Sequence, residues 1–177
     1  MTRPNRLQSL HELMAEMEAG HISSLEATED MLQRMEAWQP HINAFIRMDG
    51  EAAIKAAKAA DTARAKGDKR PLLGAPLAHK DMFMRVGERS SGGSALLVDL
   101  VGEDTATVVA RLNAAGAIET GRLNMSEFAA GPTGHNAHYG HARNPWNPDH
   151  ITGGSSSGSG ASVAAGVVYG ALGSDTG

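Results

Sequence analysis

A chain of 177 residues with a formal net charge of −4 is long enough to bury a core without staples, and it offers no basic surface for nucleic acid or an anionic membrane. The absence of cysteine excludes disulfides, thiolate metal sites and a cysteine nucleophile. No apolar run approaches the roughly 20 residues of a membrane span, and Met1-Thr2-Arg3-Pro4-Asn5-Arg6 leads into a polar amphipathic segment instead of a signal-peptide core, so a soluble, cytoplasmic protein is expected.

Leu7, Leu10, Met14 and Met17 recur at helical spacing until Gly20 stops the run. A second helix starts at Ser23, where Glu26 completes a capping box, and is expected to end before Pro40. The Met/Leu stripe of these helices is core packing. Ile42, Ala44, Ile46 and Met48 alternate with Asn43, Phe45 and Arg47 as in a strand, and Asp49 then caps an Ala-rich helix running to about Ala65. Residues 1–66 thus read as a helical region with one strand.

Gly67-Asp68-Lys69-Arg70-Pro71 is a surface turn, after which the pattern changes. Short apolar pieces (Leu72-Leu73, Ala75 to Ala78, Ala117-Ile118, Val167 to Tyr169) alternate with helical stretches, chiefly Asp104 to Ala114. Strands alternating with helices predict an α/β sheet over residues 67–177. Aromatics make up only 4% of the chain while Ala and Gly abound, so its core must pack small residues closely, as helices laid on a sheet do.

Two segments carry groups capable of chemistry. In Gly74-Ala75-Pro76-Leu77-Ala78-His79-Lys80-Asp81 a lysine ends an apolar strand-like run, and is either a surface charge or a buried amine. Burial would disfavour its ammonium form; neutrality near pH 7 requires a fall of about 3 units, or about 4 kcal/mol of differential interaction. In Gly153-Gly154-Ser155-Ser156-Ser157-Gly158-Ser159-Gly160, glycines allow close backbone approach and hydroxyls crowd into one small space. A helix starting near Ser157 would point free N–H groups at whatever occupies that space, so the segment is an anion or oxyanion nest or a plain turn.

Other chemistries fit less well. Gly154-Ser155-Ser156-Ser157-Gly158 matches the nucleophile elbow with Ser156 as nucleophile, but the loop-like Asn144-Pro145-Trp146-Asn147-Pro148 stands where a strand should. A P-loop would need a lysine that is absent here. The spacing His135-x-x-His138-x-x-His141 suggests zinc, yet without a carboxylate pattern and with Gly140 intervening it reads as loop polarity.

Taken together, Gly74 to Asp81, Gly121 to Phe128, Asn144-Pro145-Trp146, Gly153 to Ser159 and Ala171-Leu172-Gly173-Ser174-Asp175-Thr176-Gly177 resemble, in order and spacing, the amidase-signature family. The resemblance implies an α/β fold, a mixed β-sheet core flanked by helices, of which this chain supplies the N-terminal portion. It implies a Ser–cis-Ser–Lys triad in which Lys80 is the neutral general base, and Ser155, after a cis bond from Gly154, relays the proton. Thr176 and Gly177 take the role of oxyanion-hole N–H donors. The family's nucleophile ends a Gly-Ser-Asp-Thr-Gly-Gly-Ser motif, whose last two residues would follow Gly177, so the chain is expected to be a truncated portion that hydrolyses nothing by itself. Ser174 matches the wrong position to replace that nucleophile.

His79 stands where many members carry an apolar residue, and Ala130-Gly131-Pro132-Thr133 replaces a more serine-rich loop of the family's substrate pocket, leaving Ala129 and Gly131 as pocket candidates. The implied reaction is hydrolysis of a small-molecule carboxylic amide to acid and ammonia or amine through an acyl-serine ester. No metal or organic cofactor is implied; the protein partner would be a second copy or the missing C-terminal portion. Two alternatives are the A-type subunit of a glutamyl-tRNA amidotransferase, working in a complex, and a non-catalytic relative.

Overall fold

The computed structural model describes residues 8–175, so Leu7 of the first helical stripe and Thr176 and Gly177 of the expected oxyanion hole lie outside the described residues. Helix α1 spans Leu10–Glu18 and buries Leu13 and Met17, the i and i+4 positions of one face. Helix α2 spans Ser24–Ile42, and its capping box forms as the sequence predicts, Ser23 accepting from the Glu26 N–H while the Glu26 carboxylate accepts from Ser23. The helix does not end before Pro40. Pro40 lies in its last turn, where the missing N–H costs a single hydrogen bond, and the stop comes at Asn43, left-handed with φ 45°.

This longer helix delays the first strand: β1 is Phe45–Met48, and Ile42 belongs to α2. Helix α3 covers Gly50–Ala65 with Asp49 at its N-cap, but the Asp49 carboxylate makes no cap hydrogen bond. It accepts from Arg47 instead, at 2.7 and 2.9 Å. Strand β2 is Pro76–Lys80, α4 Thr107–Ala114, β3 Ile118–Leu123, α5 Ser157–Ala164 and β4 Ala171–Leu172.

Two predicted strand pieces take other forms. Leu72-Leu73 is a turn tied to the α4–β3 corner, Leu72 donating to Ala115 O and Gly74 to Gly116 O. Val167 and Val168 wrap the end of α5, both donating to Ser162 O, and the strand begins just after them. Leu73, Val167 and Val168 are buried, and burial alone does not distinguish strand from turn.

The four strands form one mixed sheet in the order β1-β3-β2-β4, with β1 antiparallel to β3, and β2 parallel to both β3 and β4. The fold is α/β. Met31, Met35 and Ile42 of α2, Phe45, Ala78 and Leu123 of the sheet, Ala161 of α5 and Ala165 at its C-cap form the main core. Ala53, Ala57 and Ala60 lay the small face of α3 against Leu73 and Ile118, the close packing that the aromatic-poor composition requires. Among the described residues no helix is long and apolar enough to cross a membrane.

A candidate active site at the end of strand β2

Strand β2 is buried along its whole length, and its last residue is the lysine. Alternation puts Lys80 on the same face as Ala78, the face that packs on α2 and α5. Of the two meanings open to it, the structure selects the buried amine: Lys80 is 0% exposed. Its Nζ meets three hydroxyls, Ser155 Oγ at 2.7 Å, Ser174 Oγ at 2.8 Å and Ser156 Oγ at 3.1 Å. Burial pushes the lysine pKa below its ordinary value, with Asp175 pulling the other way.

The serine segment reaches the lysine because glycine lets backbones touch. Gly158, in the first turn of α5, donates to Asn124 O at 2.8 Å, and a Cβ there would lie 2.5 Å from Asn124 N. Helix α5 therefore starts flush against the end of β3, beside Lys80. The Gly154–Ser155 peptide bond is cis. A Cβ on Gly154 would lie 2.6 Å from Gly134 N and 2.9 Å from Gly131 O, so only glycine fits.

Lys80 and Ser155 are thus brought together. Ala129 and Gly131 lie one layer away, in a loop pinned to the same segment: Ser126 N donates to Ser155 O at 3.0 Å, Ala129 N donates to Ser126 O, and Ser126 Oγ donates to Gly131 O at 3.1 Å. Ala129 and its neighbour Phe128 have φ of 58° and 54°, a left-handed conformation rare for either residue, and Phe128 is 53% exposed. Of the three spaced histidines, His135 and His141 pack ring against ring, with centroids 4.5 Å apart. His138 meets Glu127, and His141 Nδ1 accepts from Asn136 N; among the described residues no cluster is arranged to hold a metal ion. Sequence reasoning misses Ser156 and Ser174 as partners of Lys80, since local pattern offers each only as a nucleophile.

The opposite face of β2 is ionic. A bulge sets two residues of β3, Thr120 and Gly121, against Ala78 of β2, so Glu119 pairs with Leu77 and Arg122 with His79. Glu119 and Arg122, three apart in a strand, consequently share a face and form an ion pair at 2.9 Å, bent away from hydrogen-bond geometry. Arg85 and Glu88 join them, and Arg47 brings in Asp49. Three arginines against three carboxylates leave this cluster neutral. Burial raises the Glu119 pKa against the pull of Arg122. His79, 1% exposed and facing this cluster, is pushed down to about 4 by burial and by Arg122.

The description "Amidase" names the family model that matches residues 26–177. The A-type subunit of the glutamyl-tRNA(Gln) amidotransferase of Azotobacter vinelandii is 47% identical over 169 residues, 96% of this chain and 35% of that protein. A solved amidase structure superposes with a TM-score of 0.88 at 38% identity, covering 96% of this chain and 39% of the other. The peptide amidase of Stenotrophomonas maltophilia superposes at 0.84 with 36% identity, covering 93% and 35%. The chain spans about a third of the length of these curated relatives. On the match from residue 26 onward and the shared fold, this chain belongs to the amidase-signature family.

Proposed function

We propose that the protein cleaves the C–N bond of a carboxylic amide through an acyl-serine ester, with Lys80 as general base and Ser155 as proton relay. The observation that carries this reading is a fully buried lysine amine 2.7 Å from the Ser155 hydroxyl. A hydroxyl is a weak nucleophile at its own pKa, and a neutral amine reached through a second hydroxyl can take its proton. By the family resemblance, the nucleophile is the serine that would close, two positions after Gly177, the motif begun by Ser174-Asp175-Thr176-Gly177. As its oxygen bonds to the carbonyl carbon, its proton passes to Ser155 Oγ and the Ser155 proton to Lys80. Backbone N–H groups of Thr176 and Gly177 receive the oxyanion. The C–N bond breaks as Lys80 returns a proton through Ser155 to the leaving nitrogen. Water then attacks the ester by the same route and releases the acid. Ala129 and Gly131 border the acyl group.

The test is ammonia or amine release from a panel of simple amides by protein expressed from its natural gene. Lys80→Ala and Ser155→Ala should each lower kcat by about a thousandfold or more while the melting temperature holds. Full turnover by Lys80→Ala would refute the mechanism.

A second reading, the A-type subunit of a glutamyl-tRNA(Gln) amidotransferase, is favoured by the 47% identity to a protein of that name. It uses the same amide cleavage on a different donor and within a complex. Ammonia release that depends on added partner subunits would select it; release by the isolated protein would select the simple amidase.

A further inference from the structure

We propose that Ser156 is a positioning residue: a fixed hydrogen-bond acceptor that orients the Lys80 amine toward Ser155 and clasps the backbone of Ser174 to the same point. The inference rests on the proposed role of Lys80 and follows from a count of protons. A serine hydroxyl has one proton to give and two lone pairs. Ser156 Oγ lies 3.2 Å from the Ser174 carbonyl oxygen, which only accepts, so the Ser156 proton is committed there. The Ser174 N–H donates back to Ser156 Oγ at 3.1 Å, filling one lone pair. Only one lone pair is left for Lys80 Nζ at 3.1 Å, so in that bond the lysine is always the donor.

This constrains the lysine in both protonation states. The ammonium gives one N–H to each of Ser155, Ser156 and Ser174. The neutral amine has two N–H groups and one lone pair; one N–H stays on Ser156, and the lone pair turns to the hydroxyl at 2.7 Å, Ser155, or to Ser174 at 2.8 Å. Ser156 therefore never competes for the lysine lone pair, and it prevents rotation that would carry the lone pair away from the relay. The same oxygen holds Ser174, the first hydroxyl of the segment leading to the proposed nucleophile. Gly173 belongs to this contact, since a Cβ there would lie 3.0 Å from Ser156 Oγ.

The experiment compares Ser156→Ala and Ser156→Thr with the unsubstituted protein, using three readouts: Lys80 titration by NMR of labelled lysine, hydrogen exchange at the Ser174 amide, and the pH profile of amide cleavage. An acceptor that binds the ammonium more strongly than the amine supports protonation, so Ser156→Ala should lower the Lys80 titration midpoint and speed exchange at Ser174. It should lower kcat by about tenfold to a hundredfold with KM little changed, and shift the acidic limb of the profile downward. Ser156→Thr, which keeps the hydroxyl, should restore the titration midpoint and the limb. An unchanged Lys80 midpoint in a folded Ser156→Ala protein would overturn the positioning role even if the unsubstituted protein cleaves amides. A shifted midpoint without any amide cleavage by the unsubstituted protein would sustain the clasp and refute the proposed function.

Discussion

Lys80 and His79 are adjacent in the chain and face opposite sides of one strand, and burial lowers the pKa of each. For Lys80, under the proposed base role, the consequence is a pH dependence of activity. Activity that needs the neutral amine should rise with pH through the lowered lysine pKa and level off above it, and a profile that falls over that range would contradict the base role. For His79 the consequence is stability. Its pKa is about 4 in the folded protein against about 6.5 in the unfolded chain, so between those values the unfolded chain binds more protons. Stability should therefore rise with pH across that window, be complete above about 6.5, and fall by up to about 3 kcal/mol as the pH drops toward 4. Urea midpoints at pH 4 and pH 7 measure it, and His79→Leu should flatten the difference.

Among the elements, the site depends on how closely α5 can approach β3. The first turn of α5 sits against Asn124, and Gly158→Ala would drive a methyl group into backbone that cannot yield. We expect a loss of about 1–3 kcal/mol together with weakened amide cleavage, because the same shift withdraws Ser155 from Lys80. A thermal melt equal to that of the unsubstituted protein would contradict this. Much of the element structure is legible in the sequence: the capping box at Ser23, the helix start at Ser157 and the buried run ending at Lys80 rest on local hydrogen bonding and periodicity. The same Ser-x-x-Glu signal at Ser9 and Glu12 also caps α1. Less is legible where tertiary contacts decide. Pro40 reads as a stop because helix interiors exclude it, but a final turn does not. Val167 and Val168 read as a strand because they are buried, but their N–H groups close a helix end. The three-hydroxyl setting of Lys80 joins residues 75 to 94 positions apart, which no local pattern records.

Over the whole molecule, the sheet is fastened differently on its two faces. The α2 and α5 face is apolar and delivers the lysine to the serines, while the other binds β1, β3 and the 85–88 segment through the Arg47, Arg85 and Arg122 network. Arg122 also donates to Phe83 O, so it ties the stretch after Lys80 to the sheet. Arg122→Ala leaves the buried Glu119 with Arg85 as its remaining cation and should cost at most about 3–5 kcal/mol, read as a shift of the urea midpoint. Arg122→Met, which fills the volume but still takes away one of the two cations beside Glu119, should recover only part of the loss. A midpoint unchanged by Arg122→Ala would show that the ionic face does not hold the sheet.

Whether a buried lysine, acting through Ser155, drives amide cleavage is decided by ammonia or amine release from simple amides across a pH series, comparing the natural protein with Lys80→Ala and Lys80→Arg. Turnover should rise with pH in the natural protein and be lost in both variants, since a guanidinium keeps its charge and cannot accept the proton. Turnover retained by Lys80→Arg would rule out the lysine as base.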